Sequence, residues 1–251
     1  MRRVVRALLP QAARDSLREA FGARFHARSS YSQEGEDLLL ARMFDDSSLP
    51  GIYVDVGAHH PFRFSNTALL ASRGWRGINI DARPGSMKPF RRFRPRDVNL
   101  ELGVSEMPAQ LRFHVFAEPA LNTFDADLAE SRRNQGWQQT GSLLVECRPL
   151  AEILERHLPE LGAATVDLLT VDVEGLDLQV LRSNDWSRFR PRVVLIEVLG
   201  SDIEQLIHSE PAAFLAQCGY KPVSKLVNSV AFVCAVPSER ARYQTQDSDS
   251  P

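Results

Sequence analysis

The chain is poor in the features that mark secreted, membrane-spanning or nucleic-acid-binding proteins. Its 251 residues include 3 cysteines. Cys147, Cys218 and Cys234 are widely spaced and form no CxxC, so they read as reduced core residues of a cytoplasmic protein, not a disulfide frame or a zinc site. No apolar run approaches the ~20 residues needed to span a bilayer. Val4 to Leu9 is too short for a signal peptide and is interrupted by Arg6. The 30 Lys and Arg nearly balance the 32 Asp and Glu, for a formal net charge of -2. No global electrostatic case for nucleic acid follows. Internal repeats and low-complexity inserts are absent. Also absent is a G-x-G-x-x-G turn, which would let a backbone approach a dinucleotide pyrophosphate, and its absence counts against a nicotinamide-dependent oxidoreductase.

What is present divides into three parts: a basic N-terminal leader or helix over 1–30, an α/β domain over 31–237 and a polar, disordered tail over 238–251. The leader carries Arg2, Arg3, Arg6, Arg14, Arg18, Arg24 and Arg28 against Asp15 and Glu19. Leu8, Leu9, Leu17, Ala20 and Phe21 offer it one apolar face. Two readings stay open: a helix packed on the domain or a frayed leader, and a basic amphipathic helix that touches anionic membrane at its surface.

The chain is organised around GIYVDVGAHH (51–60). Ile52, Val54 and Val56 predict a buried strand. Asp55 and Gly57 follow in a tight turn, the arrangement by which doubly wound α/β folds build a crevice beyond the carboxyl ends of their strands. Before it, Ser32 is expected to cap a helix over 38–44. After it, Ser65 or Asn66 is expected to cap a helix over 68–71, and 75–81 reads as the second parallel strand, ending on Asp81. A helix over 84–93 and a third strand over 98–104 come next, then an extra strand over 111–116, a polar helix over 125–136, a strand over 142–147 and an amphipathic helix over 150–158. The run over 168–173 is nearly all apolar, as a central parallel strand should be. It closes on Asp172, Glu174 and Gly175. Residues 192–199 are the next buried strand, with Glu197 near its end. A helix over 211–218 and a hairpin over 220–236 complete the domain.

Four acids, Asp55, Asp81, Asp172 and Glu197, thus fall at the ends of predicted strands. Unpaired buried carboxylates are costly, and strands of one parallel sheet end at one edge, so a shared site is expected there. A turn with one glycine and a preceding acid suits a ligand with a cationic end and a ribose but no diphosphate. S-adenosyl-L-methionine is such a ligand. Asp81 is placed to accept from both ribose hydroxyls, and Asp55 to favour the cationic methionyl end.

Here the sequence resembles the FkbM-type S-adenosylmethionine-dependent methyltransferases. The resemblance spans residues 31–236 and is carried by YSQEGEDLLL (31–40), YVDVGAHHPFRFSNT (53–67), GWRGINIDARPGSM (74–87), NTF (122–124) and LLTVDVEGLDLQVL (168–181). It implies a class I methyltransferase fold: a Rossmann-like, doubly wound, seven-stranded and mostly parallel sheet whose last strand is antiparallel. It also implies O-methylation of a hydroxyl on a sugar, glycan or secondary metabolite. Residue by residue, it puts Asp55 and Gly57 in the cofactor turn, Asp81 on the ribose, Gln33 over the pocket with Asn66 and Thr67 lining it, and Asp172 at the methyl-transfer site. The sequence departs from many methyltransferase turns at His60 and Pro61, where a further glycine is common.

Methyl transfer to a hydroxyl needs an aligned oxygen and a group to take its proton. Asp172 is the first candidate base, followed by His59, His60 and Glu174. The histidines have the alternative of bonding only nearby backbone, and Glu174 that of a first-turn acid at a helix N-terminus. Asp172, Glu174 and Glu197 are the candidate ligands should Mg²⁺ take part. Arg63, Arg83, Arg91, Arg92, Arg94 and Arg96 form a basic patch, read as a solvated face or as a surface for an acidic glycan carrier. The competing functional readings are the nicotinamide-dependent oxidoreductase and a non-catalytic cofactor-fold module at a membrane surface.

Overall fold

β-branched and aliphatic runs build the centre of the molecule. In the computed structural model, which describes residues 10–12, 27–45, 49–198 and 202–235, the central run forms β1 (Ile52–Val56). The other strands are β2 (Arg76–Ile80), β3 (Val98–Leu100), β4 (Gly103–Val104), β5 (Ala109–Phe116), β6 (Gln139–Arg148), β7 (Leu168–Val171), β8 (Val193–Glu197), β9 (Tyr220–Lys225) and β10 (Ser229–Cys234). The helices are α1 (Glu36–Met43), α2 (Ala68–Ser72), α3 (Met87–Phe93), α4 (Ala126–Asn134), α5 (Leu150–His157), α6 (Asp177–Arg182), α7 (Ile203–Ile207) and α8 (Glu210–Gln217). The chain divides into two units, residues 1–30 and 31–251, and all of these strands and helices belong to the second. The expected basic helix and polar tail fall almost wholly outside the described residues.

Seven strands make one sheet in the order β3-β2-β1-β7-β8-β10-β9. All neighbours from β3 to β8 are parallel, and β10 runs antiparallel to both β8 and β9. This is the sheet that the sequence led one to expect. The strand period of two sorts its side chains onto two faces. Val54, Val56, Ile78, Ile80, Leu169, Val171, Val194 and Ile196 pack with α5, α6 and α8 on one side. Tyr53, Leu168, Val193 and Leu195 pack with α1 and α2 on the other.

Two expectations need correction. Residues 98–104 are not one strand: the run breaks after Leu100, and Gly103 and Val104 cross to a second sheet of order β4-β6-β5. At Gly103 a Cβ would lie 2.6 Å from Cys147 Sγ and 2.7 Å from the Phe124 ring, so only glycine fits the crossing. Neither Ser65 nor Asn66 caps α2. Its N-cap is Thr67, with no side-chain cap bond, because all three side chains are spent on polar contacts with Asp55, Arg94 and Thr170.

Candidate active site

The parallel register sets the site. Val56 pairs with Ile80 and Val171, and Val171 with Ile196. One residue further on, Gly57, Asp81, Asp172 and Glu197 therefore form a row along the carboxyl edge of the sheet. All four line one cavity of about 980 Å³, part of it open to solvent. The row is tight at Gly57, whose φ is 86°. A Cβ there would come within 1.7 Å of the Asp172 carbonyl oxygen.

Asp81 is held by the backbone of its own edge. One carboxylate oxygen accepts from His59 N at 2.9 Å and the other from Arg83 N at 2.9 Å. Carboxylate oxygens have further lone pairs, so each can take another donor. His59 lines the cavity with φ 53°. Burial lowers its proton affinity, Asp81 opposes this, and Arg63 and Arg83 lower it further.

Across the cavity the site is acidic. Asp172 opens into the cavity and is exposed by area, yet it sits deep within the protein. Burial first, then Glu197, Glu174 and Asp177, hold its carboxyl well above the usual range; its opening to solvent moderates that push. Glu197 is pushed up to about 8 by burial and by Glu174, Asp177 and Glu34. Asp172, Glu174 and Glu197 offer carboxylate oxygens that all lie within 4.8 Å of one another. Glu174 adopts φ 56° and pairs with the buried Arg132 of α4, while its carbonyl accepts from Thr123 Oγ1 at 2.8 Å. Burial raises the Glu174 carboxyl and Arg132 pulls it back.

Other sequence candidates lie elsewhere. Asp55 is an interior residue of β1 and belongs to the face opposite Val54 and Val56. It does not line the cavity. Its carboxylate accepts from Thr67 Oγ1 at 2.7 Å, and burial pushes it up to about 6. Thr67 in turn accepts from Arg94 at 2.7 Å, and Asn66 donates to Thr170 Oγ1 at 3.2 Å. Neither Asn66 nor Thr67 lines the cavity. His60 is outside it too, its Nδ1 accepting the amides of Phe62 and Arg63 at 3.1 and 3.0 Å. Arg94 leaves the expected basic patch altogether. It is buried and donates to Pro61 O, Ser65 Oγ, Thr67 Oγ1, Asn79 Oδ1 and the Tyr53 hydroxyl.

Gln33 does line the cavity, and the crowded acids beside it explain how. Glu34 accepts the backbone and side-chain amides of Asn228 at 2.8 and 2.9 Å. Glu36 accepts from Ser229 Oγ at 2.9 Å. Asp37 accepts from Tyr31 N and Ser32 Oγ, and its own amide donates to Ser32 Oγ at 3.2 Å. The segment before α1 is thereby fastened to the β9–β10 turn beside Glu197, with Gln33 carried to the cavity.

Sequence reasoning missed the wall made by the second sheet and the segments beside it: Leu102, Val104, Phe113, Asn122 and Phe124. The NTF motif was the available signal. Phe124 and Asn122 face the cavity, and Thr123 anchors the Glu174 carbonyl. Asn122 Oδ1 accepts from Phe116 N at 2.8 Å, whereas its buried Nδ2 has no partner among the described residues.

The donor set fits S-adenosylmethionine in chemistry: a carboxylate for ribose hydroxyls, an apolar aromatic wall with an unspent amide for a base, and acids for a cationic end. Sheet order and cavity together define a class I methyltransferase fold. Residues 55–222 match the family model described as the methyltransferase FkbM domain, and the chain belongs to that family. Membership implies use of S-adenosylmethionine and displaces the nicotinamide reading. Among curated proteins no sequence matches. Similar solved structures include a "putative RNA methyltransferase" from Pyrococcus horikoshii, 12% identical with TM-score 0.39, covering 80% of this chain and 84% of that one. Another is precorrin-6y C5,15-methyltransferase from Geobacter metallireducens, 12% identical with TM-score 0.37, covering 79% and 87%.

Proposed function

We propose that the protein is an S-adenosylmethionine-dependent O-methyltransferase acting on a hydroxyl of a sugar, glycan or secondary metabolite in the cytoplasm. The observation that carries this reading is the row Gly57, Asp81, Asp172 and Glu197 on one cavity, with a ribose-type acid at one end and proton-hungry acids at the other. The cofactor, when bound, supplies an electrophilic methyl group on a sulfonium. Asp81 binds the ribose hydroxyls, and the aromatic wall of Phe113 and Phe124 packs the base. Asp172 would accept the hydroxyl proton of the acceptor when the methyl group leaves the sulfonium sulfur for the acceptor oxygen. Glu197 beside it keeps the proton affinity of the pair high, which makes a carboxylate a better base than it is in water. His59, held neutral by burial, is the second candidate base.

The same geometry favours a variant reading in which Asp172, Glu174 and Glu197 hold Mg²⁺, since their oxygens are within 4.8 Å of one another. Bound there, the ion would act as a Lewis acid on the acceptor oxygen. Glu174 would then share its carboxylate between the ion and Arg132.

Calorimetric titration with S-adenosylhomocysteine, in EDTA and in Mg²⁺, tests the assignment, followed by methyl uptake onto hydroxylated acceptors. Binding with uptake is expected. Failure of the folded protein to bind would remove the reading, and binding with no uptake onto any acceptor would favour the non-catalytic module. A magnesium requirement for uptake would select the variant reading.

A further inference from the structure

On the far side of the loop 58–67 lies a groove that shares no lining residue with the cavity. Its walls are mostly apolar, with Pro61, Ala68, Ala71, Trp75 and Pro95 among them. Around it Tyr31, Phe62 and Phe93 stand between 40% and 51% exposed. These rings are a group. Phe62 meets Phe93 edge-on at 5.0 Å and Tyr31 at 6.3 Å. Guanidinium groups cover the outer rings, Arg63 over Phe64 at 4.4 Å and Arg92 over Phe93 at 5.3 Å. Arg91, Arg92 and Arg96 are exposed, and none of the three pairs with an acid among the described residues. Arg63 has the exposed Glu118.

Contiguous exposed rings mark a surface that something covers. Four arginines over and beside those rings ask for a cover that is anionic at the rim and apolar beneath. A bilayer with anionic headgroups has the required profile: phosphates at arginine depth and acyl chains below, with aromatic rings at home between them. We propose that this face seats on an anionic lipid bilayer, with Phe62 and Phe93 entering the interface and Arg63, Arg91, Arg92 and Arg96 meeting the phosphates. Phe64 stacks on His59 at 6.2 Å and also lines the cavity, so seating brings the mouth of the site to the membrane. Among the described residues no helix is long and apolar enough to cross one.

Vesicle co-sedimentation of the full chain tests this, using phosphatidylcholine with and without phosphatidylglycerol. Sedimentation only with the anionic lipid is expected. Phe62→Ser with Phe93→Ser should reduce partition roughly tenfold or more, and Arg91→Glu with Arg92→Glu should do the same, with unchanged thermal melting. Equal partition of both variants and the natural chain would assign binding to residues 1–30 and overturn the proposal. So would no partition of the natural chain, or equal partition onto neutral vesicles. S-adenosylhomocysteine binding is read separately, so failure here leaves the methyltransferase assignment untouched.

Discussion

Asp81 and Asp172 occupy equivalent positions, each one residue past a parallel strand, yet their surroundings give them opposite tasks. Asp81 receives two backbone amides and has no acid among its hydrogen-bond partners, so its oxygens are oriented to accept. Asp81→Ala is expected to weaken S-adenosylhomocysteine binding by about 1.5–3 kcal/mol, the value of hydrogen bonds to a charged group; an unchanged dissociation constant would take Asp81 off the ribose. Asp172 faces other acids and binds a proton tightly. Asp172→Asn should lower kcat by on the order of 10²–10⁴ while cofactor affinity stays within about threefold. With Asp172 as the base, the pair must be deprotonated to act, so kcat should climb with pH towards the Glu197 value of about 8, and the Asn variant should lose that limb. A variant that retains the limb would hand the role of base to another group.

At the scale of elements, the loop between β1 and α2 is shaped from behind by one side chain. Arg94 ends the α3 segment and reaches under the loop to Pro61 O at 2.7 Å, Ser65 Oγ at 3.0 Å and Thr67 Oγ1 at 2.7 Å. The loop then presents His59 and Phe64 to the cavity. Arg94→Met should cost on the order of 3–5 kcal/mol, because a carbonyl and several hydroxyls lose their donor in the interior. Lys should rescue little, since one ammonium cannot reproduce a planar fork with five donors. An unfolding free energy in urea within about 1 kcal/mol of the natural chain's would show that the loop holds itself. The elements also differ in how far sequence alone betrays them. Apolar runs and turn glycines sufficed for β1, β2, β7 and β8, because buried parallel strands are apolar on both faces. They also sufficed to bring Asp81, Asp172 and Glu197 to one edge. Asp55 was legible as a strand acid, but strand alternation sets it on the face away from Val54 and Val56, and so away from the cavity. Arg94 looked like a member of an exposed run because a charge sequence carries no sign of burial; its partners lie 15 to 41 residues away in the chain. The wall from β4 to β6 was equally hidden, since its contacts depend on a chain crossing between two sheets.

For the whole molecule, buried carboxyl groups at and near the carboxyl end of the sheet are a store of unfavourable charge. Asp55 is pushed up to about 6, Asp177 to about 7 and Glu197 to about 8, each chiefly by burial. In the unfolded chain these groups titrate near 4. Between about pH 4 and pH 8 the folded state therefore holds more protons than the unfolded state, and stability falls as pH rises through that window. The carboxylates contribute their full share only below the unfolded values, and the loss is complete above the folded ones. Glu197→Gln keeps the shape of the protonated side chain and removes the charge. It should match the natural chain at pH 5 and exceed it at pH 8.5 by on the order of 2 kcal/mol, after allowance for water in the cavity, which corresponds to a Tm rise of roughly 4–8 °C for a domain of this size. Thermal melts of both proteins across that range provide the comparison. A gap that is constant with pH would mean that folding leaves the proton affinity of Glu197 unchanged. The gap should also narrow in saturating S-adenosylmethionine, because a cationic ligand beside the acids relieves in the natural chain the repulsion that the Gln variant never had.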